Sequence, residues 1–347
     1  MKKKIVKLGW IGSGFVGQVA HLNSFCSLKN VEIVGLAELR PKLGKIACEK
    51  FRIPQFYENY EDLLYENKID AVVTIVNRKH TASLAEKILK KGFNLFTEKP
   101  MAATYLQGKK LYNIAKRKKC TYTVGNMRIH DEGLQLGKYY FDKFLSNKKL
   151  GKIIYFRAFC FAGGDYCNVD GYSSTNESRP DNQLLPIAPN WVPKKQQKDF
   201  EKFLNYFIHD INFIQYFFKK PQNIKSVNFK KNAGNIIFDY KDFYGNFEFG
   251  YIDQNKWIEG LEIYFEKGKI SIELPPAFLK NQTAKVKIYE ENSQFENVSP
   301  KTDFSWSFKR QAKSFVETIS KGKTNLVSAK KSLEDLQLIE KIWKKVV

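Results

Sequence analysis

A glycine-rich turn near the amino terminus, between an apolar run and a helical pattern, constrains the fold more than any other feature. Residues 5–11 are an apolar run typical of a buried strand, and residues 15–28 have the spacing of a helix that packs on a sheet. The turn, residues 12–17, reads GSGFVG, with glycines where a tight turn, a close approach to a pyrophosphate and close helix–strand packing require them. We therefore predict a dinucleotide-binding β-turn-α unit, with the phosphates at the amino terminus of the helix.

The next hundred residues alternate between strand and helix patterns. A second predicted strand at 32–37 is followed by strands at 69–76, 94–97 and 122–124, with helices between them. Strands separated in this way form a doubly wound parallel sheet, and ligands gather at the carboxyl ends of its strands. The prediction for residues 1–125 is therefore an α/β Rossmann domain that binds a nicotinamide dinucleotide.

The choice between NAD and NADP depends on two residues after the second strand. The carboxylate of Glu38 lies where a ribose 2′-hydroxyl is expected, and it would repel a 2′-phosphate. Arg40 could pair with that phosphate or stack on the adenine, so the sequence favours NAD and leaves NADP open. The predicted cofactor-binding residues come from the glycine turn and from strand ends: Gly12, Ser13, Gly14, Phe15, Val16, Gly17, Glu38, Arg40, Val76, Asn77, His80, Glu98, Lys99 and Asn126.

Beyond about residue 150 the apolar pattern changes to strand-like alternation. The alternating segments are 153–162, 236–240, 247–252, 261–265, 270–274 and 286–289. Consecutive hairpins predict a second, α+β domain over residues 126–347 with a large open, mostly antiparallel sheet, and we expect its last helix to pack back on the first domain. The loop at 163–199 is long enough to be functional, and Arg179 and Trp191 within it are weaker candidates for substrate contact.

The formal net charge of +22 raises the question of a nucleic-acid or membrane-surface partner. Only eight of the 58 basic residues are arginine, and the lysines are spread along the chain. Arginine concentrated on one element is typical of proteins that read nucleic-acid sequence, so we predict no nucleic-acid partner. No apolar run approaches the length of a membrane span, no signal-peptide pattern follows the first lysines, and the five cysteines lack metal-ligand spacing. We therefore predict no membrane partner, no metal and a cytoplasmic location.

The segment Thr97-Glu98-Lys99-Pro100 follows a predicted strand and carries the first candidate for chemistry. Hydride leaves a carbinol carbon only as the O–H proton is removed, so a base must contact that oxygen. A cationic neighbourhood beside an oxidised nicotinamide is expected to lower the pKa of Lys99 toward neutrality, and the ammonium form would stabilise an alkoxide in the reverse direction. We predict that Lys99 is the acid/base, that Glu98 receives the nicotinamide carboxamide or pairs with Lys99, and that Pro100 fixes the chain.

His209, on a predicted helix, is the second catalytic candidate. Asn205 and Asn212 lie about one turn away on the same helix face, among phenylalanines. Such a polar face is unusual for a core helix, so we predict that all three residues contact substrate, with a buried structural histidine as the alternative for His209. Arg128 either binds the substrate or makes a structural salt bridge. The histidines predicted to be structural are His21 and His130.

Together these motifs resemble the Gfo/Idh/MocA oxidoreductase family, named for glucose–fructose oxidoreductase and inositol dehydrogenase, over essentially the whole chain. The matching segments are 12–17, 77–80, 98–100, 125–128, 150–153 and 209–216. The resemblance implies a Rossmann domain plus an α/β domain with an open antiparallel sheet. It also implies a cis bond before Pro100 and subunits that pair through the open sheet face.

Three positions depart from the family's pattern. The family commonly has aspartate where this chain has Asn205 and Asn212, and proline where it has Val76. Asparagine cannot exchange a proton at neutral pH, but it can donate and accept hydrogen bonds with a sugar hydroxyl. We therefore expect these residues to orient a substrate rather than to move its protons.

The resemblance implies an NAD(P)-dependent enzyme that oxidises or reduces a hydroxyl or keto carbon of a sugar, cyclitol or nucleotide-linked sugar. The basic composition favours an anionic nucleotide-sugar, and the expected assembly is a homodimer or tetramer through the open sheet. The alternative is a non-catalytic dinucleotide-binding sensor of the same fold. The residues Asn205 and Asn212 motivate that alternative, whereas the presence of Lys99 and His209 speaks against it.

Overall fold

The computed structural model describes residues 4–66, 68–164, 170–178, 185–291, 296–300 and 305–347. The chain divides into two compact units, and each unit combines segments that are distant in sequence. Unit 1 comprises Met1–Asn126, Val169–Glu201 and Phe308–Leu336. Unit 2 comprises Met127–Asn168, Lys202–Ser307 and Gln337–Val347.

Unit 1 is built on a six-stranded parallel sheet. Its strands are β1 (Val6–Ile11), β2 (Val31–Ala37), β3 (Phe56–Tyr57), β4 (Ala71–Thr74), β5 (Asn94–Glu98) and β6 (Tyr122–Gly125). The order across the sheet is β3-β2-β1-β4-β5-β6, and every neighbouring pair is parallel. This is the strand order of a doubly wound Rossmann fold, as predicted, and its order reverses between β1 and β4.

The α-helices of the described residues are α1 (Asn23–Cys26), α2 (Pro41–Phe51), α3 (Tyr60–Glu66), α4 (Arg78–Lys90), α5 (Tyr105–Lys118), α6 (Glu132–Asn147), α7 (Gln197–Phe218), α8 (Ser307–Lys321) and α9 (Ala329–Trp343). Local chemistry sets several of their ends. The side chains of Asn77 and Thr104 accept hydrogen bonds from the amides of Lys79 and Gln107 at the starts of α4 and α5. Gly92 takes a φ of 91° after α4. Within the described residues, no helix is both long and apolar enough to span a membrane.

A helix from the carboxyl-terminal part of the chain completes the core of unit 1. Phe315 on α8 is buried in a cluster with Phe25 and Phe96, and its ring lies edge-on to that of Phe96 with centroids 5.4 Å apart. We predicted that every residue after 125 belongs to a second domain. Instead, α8 and residues 169–201 belong to unit 1, because α8 supplies part of the apolar core beneath this sheet. The last helix, α9, contributes its first half to unit 1 and its second half to unit 2.

Unit 2 is built on an eight-stranded sheet. Its strands are β7 (Ile153–Ala162), β8 (Asn223–Phe229), β9 (Ala233–Asp239), β10 (Tyr244–Tyr251), β11 (Ile258–Phe265), β12 (Gly268–Leu274), β13 (Lys285–Glu290) and β14 (Glu296–Val298). The order is β14-β13-β12-β11-β7-β10-β9-β8, and only the pair β7 and β10 is parallel among these described strands. The predicted mostly antiparallel sheet is confirmed. The parallel pair arises because a long connection, which includes α7, separates β7 from the β8–β9–β10 hairpins.

One face of this second sheet is packed by α7. The ring of Phe203 on α7 lies 5.2 Å from that of Phe249 on β10, and the ring of Phe207 lies 4.9 Å from the same side chain. Residues along β7 alternate accordingly, with Phe156 buried and its neighbour Arg157 half-exposed on the opposite face. The second face therefore carries half-exposed side chains, as an open sheet face should.

Candidate functional site

A cavity of about 510 Å³ opens at the carboxyl edge of the unit 1 sheet. It lies where β1, β2 and β4 end, at the point where the strand order reverses. Its lining includes ten of the predicted cofactor-binding residues: Gly12, Gly14, Phe15, Val16, Gly17, Glu38, Arg40, Val76, Asn77 and His80. Lining residues that we did not predict are Ile11, Ala37, Leu39, Glu58, Tyr60, Ile75, Ser83, Leu84 and Lys87.

The three glycines of the turn differ in what a Cβ would meet at each position. Gly12 has a φ of 91°, and a Cβ there would lie 2.4 Å from the carbonyl oxygen of Ile75. A Cβ on Gly17 would lie 3.2 Å from the carbonyl oxygen of Gly12, so this glycine allows the helical segment to approach the turn. A Cβ on Gly14 would meet nothing within 4 Å, which leaves open space against the backbone. A π-helical turn, Gly17–Leu22, follows directly.

Glu38 and Arg40 form a buried ion pair at the end of β2. The carboxylate of Glu38 accepts two hydrogen bonds from the Arg40 side chain, at 2.9 and 3.0 Å, and one from the Arg40 amide at 3.3 Å. It also accepts hydrogen bonds from the amide and the hydroxyl of Ser13, at 2.9 and 3.0 Å. Burial raises the pKa of Glu38, but the Arg40 and Ser13 hydrogen bonds outweigh it, so the pKa lies below its ordinary value. Ser13 thus supports the carboxylate rather than lining the cavity.

Glu98 connects the segment after the glycine turn to the strand end that carries Lys99. One carboxylate oxygen lies 2.7 Å from Nε2 of His21, and the other accepts a hydrogen bond from the Lys99 amide at 2.9 Å. His21 is fully buried on the π-helical turn, with its ring edge-on to that of Phe96. The bond between Lys99 and Pro100 is cis, as the resemblance implied.

Asn126, just after β6, is fully buried, and neither side-chain oxygen nor nitrogen has a hydrogen-bond partner among the described residues. Such a group costs free energy unless a ligand or water satisfies it. The neighbouring Gly125 is constrained as well, because a Cβ there would lie 2.9 Å from Oε1 of Glu98. The ends of β5 and β6 are therefore closely packed around polar groups.

Asn205, His209 and Asn212 lie on α7 within unit 2, whereas Lys99 lies within unit 1. Asn212 is buried, but Asn205 and His209 are half-buried. Their spacing of four and three residues along a continuous helix places them on one side of it. His209 is therefore partly exposed, and the choice between a substrate role and a structural role stays open.

Arg128 is buried within unit 2, and only 2% of its surface is exposed. Its guanidinium makes an ion pair with Glu259 on β11 and donates a hydrogen bond to the carbonyl oxygen of Pro275 at 2.7 Å. Glu259 also accepts a hydrogen bond from Nε1 of Trp257 at 2.6 Å. Of the two roles left open for Arg128, this geometry supports the structural salt bridge. The substrate role of Arg128 stays a prediction.

A buried acid accompanies this pair. Asp210 on α7 is 1% exposed, and burial together with the charge of Glu259 raises its pKa well above the ordinary value. Burial likewise raises the pKa of the Cys160 thiol, with Asp210 and Glu259 adding to the effect. The interior of unit 2 thus holds two carboxyl groups near one arginine.

Residues 6–126 match the Gfo/Idh/MocA family model, which describes an oxidoreductase family with an NAD-binding Rossmann fold. The match is to the family's Rossmann domain, and it spans about a third of the chain. The resemblance inferred from the motifs is thereby confirmed for residues 6–126, and so is a nicotinamide dinucleotide as the cofactor class of this domain.

The curated proteins that resemble part of the chain have differing names. The chain is 30% identical over 136 residues to an inositol 2-dehydrogenase/D-chiro-inositol 3-dehydrogenase of Lacticaseibacillus casei, a match that covers 38% of each chain. It is 28% identical over 125 residues to a glycosyl hydrolase family 109 protein of a Shewanella species, covering 33% of this chain and 27% of that protein. The matches thus span less than half the length of these relatives.

Solved structures resemble the chain over nearly its whole length. A 3-ketoreductase from Actinomadura kijaniata, in complex with NADP and TDP-benzene, has a TM-score of 0.74 at 16% identity, covering 97% of this chain and 96% of that chain. A levoglucosan dehydrogenase in complex with NADH and levoglucosan has a TM-score of 0.76 at 15% identity, covering 99% and 97%. At such identities the likeness shows the fold alone.

Sequence reasoning missed several polar residues near the strand ends of unit 1. His21 lies 77 positions from Glu98, and no local pattern indicates that the two are in contact. Gln18 donates a hydrogen bond to the carbonyl oxygen of Ser13 at 2.7 Å, and the helical pattern gave no sign of this. Of the weaker loop candidates, Trp191 is half-buried in unit 1, and Arg179 lies outside the described residues.

Proposed function

We propose that the protein is an NAD(P)-dependent oxidoreductase that transfers hydride between a nicotinamide and a hydroxyl or keto carbon of a sugar, cyclitol or nucleotide-linked sugar. The observation that carries this proposal is the cavity at the end of β1, β2 and β4, with the glycine turn on one wall and Glu38 and Arg40 on another. The name of the inositol dehydrogenase relative supports the substrate class.

The residues around the cavity fit a dinucleotide. The space beside Gly14 admits a pyrophosphate against the backbone, at the start of a helical segment. The buried carboxamide of Asn126 provides hydrogen-bonding groups that no described residue uses, and it would hold an amide or hydroxyl of the cofactor. Glu38 and Arg40 would hold the adenosine ribose. When bound, the nicotinamide supplies the hydride acceptor or donor.

Lys99 is assigned as the group that removes or returns the hydroxyl proton of the substrate. It directly follows β5, so it emerges at the carboxyl edge of the sheet, where ligands bind in such folds. Glu98 accepts a hydrogen bond from the Lys99 amide and is itself held by His21, so the backbone that carries the amine is fixed. A fixed base in reach of the substrate oxygen accelerates proton transfer.

His209 and Asn205 are assigned to the substrate. Both are half-buried on α7 and therefore keep surface with which to contact a ligand. An imidazole can donate or accept a proton near neutral pH, whereas the Asn205 carboxamide can only orient a hydroxyl. Asn212, which is buried, is assigned to the support of this helix face.

The experiment is a turnover assay with NAD⁺ and NADP⁺ against free and nucleotide-linked sugars and cyclitols, including myo-inositol and levoglucosan. Formation of reduced cofactor with one substrate class supports the proposal. A second function, a dinucleotide-binding sensor, is favoured by the asparagines at 205 and 212. Tight dinucleotide binding without turnover of any substrate would support the sensor and contradict the enzyme.

The open face of the second sheet is proposed as the contact between copies of the chain. It carries aromatic and paired charged side chains, including Phe159 and the ion pair of Arg157 with Glu248 at 2.7 Å. Cytoplasmic location and the absence of a nucleic-acid partner remain predictions from composition. A homodimer or tetramer in sedimentation would support the assembly, and a monomer would contradict it.

A further inference from the structure

Residues 170–178, here called the strap, follow the second sheet's β7 in sequence but belong to unit 1. The strap contacts the helical segment after the glycine turn and both ends of α2. Near the carboxyl end of α2, the Lys50 ammonium donates a hydrogen bond to the carbonyl oxygen of Gly171. At the other end of α2, Glu177 accepts hydrogen bonds from two backbone amides.

The strap is joined to the cavity wall by two side chains. Gln18 donates a hydrogen bond to the Ser173 carbonyl oxygen and accepts one from the Ser173 amide, both at 2.9 Å. The same Gln18 nitrogen also bonds the carbonyl oxygen of Ser13, whose amide donates to Glu38. The ring of Tyr172 lies edge-on to that of Phe15, with centroids 5.0 Å apart. A continuous set of contacts therefore connects the strap to the residue expected at the ribose.

Glu177 satisfies the amino terminus of α2, which its own sequence leaves uncapped. The residue before the helix is Arg40, whose side chain has no acceptor, and it makes no capping hydrogen bond. The two carboxylate oxygens of Glu177 instead accept hydrogen bonds from the amides of Lys42 and Leu43, at 2.9 and 3.0 Å. The hydroxyl of Thr175 adds a third hydrogen bond at 2.7 Å.

These three donors are neutral, and the charge of the Lys42 side chain also favours the ionised form of Glu177. The hydrogen bonds outweigh the effect of desolvation, and the pKa of Glu177 lies below its ordinary value, so the group is ionised at neutral pH. The charges of Glu38 and Arg40, by contrast, cancel each other within a buried pair. Glu177 thus places an ionised carboxylate of the strap against the first amides of α2.

We propose that Glu177 is a specificity-determining residue that favours NAD over NADP by occupying the anion position at the amino terminus of α2. The inference rests on the proposed function, because it requires a dinucleotide whose ribose lies beside Glu38 and Arg40. A 2′-phosphate attached to that ribose would face the first turn of α2, where the backbone amides and the helix dipole attract anions. The carboxylate of Glu177 already holds those amides, and its charge repels a phosphate.

The test compares the affinities of wild type, Glu177→Gln and Glu49→Gln for NAD⁺ and NADP⁺ by titration calorimetry at low and high salt. Glu49 is an exposed acid on the last turn of the same helix, so its variant makes the same charge change away from the amino terminus. In Glu177→Gln we expect NADP⁺ affinity to rise about fivefold relative to NAD⁺, and the change should shrink at high salt. In Glu49→Gln the ratio should stay within about twofold of wild type.

An unchanged ratio of the two affinities in Glu177→Gln would overturn the inference, as would the same shift in Glu49→Gln. An equal loss of both affinities, with a lowered thermal midpoint, would show that Glu177 only holds the strap in place, and it too would overturn the inference. A wild-type protein that binds neither dinucleotide would remove the proposed function itself, and that result is read before any variant is compared.

Discussion

Each unit buries a carboxylate beside an arginine: Glu38 with Arg40 in unit 1, and Glu259 with Arg128 in unit 2. The first pair is two residues apart in sequence, at the end of a strand, and both members line the cavity. The second pair is 131 residues apart, and each member is almost fully buried. A buried ion pair at a strand end can therefore contact a ligand in the cavity. A buried ion pair in the interior of a unit affects the free energy of unfolding.

The largest expected effect tests the chemistry assigned to the strand ends of unit 1. Lys99→Ala should lower kcat by about 10³-fold, because general acid–base catalysis contributes about 10² to 10⁴. The Kd for NAD⁺ should change by less than about twofold, since the amine is assigned to the substrate oxygen. Steady-state kinetics and calorimetric titration measure the two effects. Lys109→Ala, an exposed lysine on α5, is the matched control, and an unchanged kcat in Lys99→Ala would remove Lys99 from the mechanism.

The second prediction tests the assignment of the unit 2 pair to stability. Arg128→Leu should lower the free energy of unfolding by about 3 to 5 kcal/mol, because it leaves the carboxylate of Glu259 buried without its ion-pair partner. Adding Glu259→Leu should recover much of that loss, since no charge then stays buried alone. Denaturant titration measures both. Asp142→Ala removes the ion pair with Lys138 at the surface and should lower the free energy of unfolding by less than about 1 kcal/mol. An equally small loss for Arg128→Leu would contradict the assignment of the unit 2 pair to stability.

The third prediction concerns His21, which positions Glu98 rather than touching a substrate. His21→Leu should lower kcat about tenfold and alter its pH profile, because the backbone amide of Lys99 loses its fixed acceptor. His21→Gln keeps a donor near the position of Nε2 and should restore most of the rate. A purely structural role would instead lower the thermal midpoint in both variants without changing the pH profile.

The sequence predicted the parts of the fold and site that depend on neighbours along the chain. The glycine turn, the acid after β2 and the lysine after β5 each follow a strand, so local pattern was enough to place them. The helix α6 was missed because Gly133 and Gly137 interrupt its pattern. Both are needed, since a Cβ on Gly133 would lie 2.0 Å from the carbonyl oxygen of Ala284. The strands β8 and β14 were missed because they lie at the sheet edges, where few side chains are buried.

Contacts between distant segments could not be predicted in this way. The pairing of Arg128 with Glu259, the capping of α2 by Glu177 and the contact of His21 with Glu98 join residues 77 to 135 positions apart. Each depends on packing that brings two elements together, and no spacing rule along one element describes it. The sequence therefore predicted the site's motifs, and the structure supplied the residues that hold them.

The smallest expected effect uses pH to compare the two units. The pKa of Asp210 is raised in the folded protein, so its protonated form is favoured, and the stability it contributes is lost as pH rises toward that raised pKa. The pKa of Glu38 is lowered, so its contribution is full above its unfolded pKa and is lost as pH falls through the folded pKa. The two acids should thus give pH dependences of opposite sign.

Asp210→Asn should therefore raise the thermal midpoint at pH 8 more than at pH 5, because the carboxamide needs no proton to remain uncharged in the interior of unit 2. Glu38→Gln should lower the thermal midpoint at neutral pH, because Arg40 loses its buried ion-pair partner. The difference in thermal midpoint between this variant and wild type should become smaller as the pH falls. Differential scanning calorimetry from pH 4 to pH 8 measures both curves. If both variants give pH curves parallel to that of wild type, the pKa of neither acid differs between the folded and unfolded states. That result would contradict the electrostatic contrast between Glu38 in unit 1 and Asp210 in unit 2.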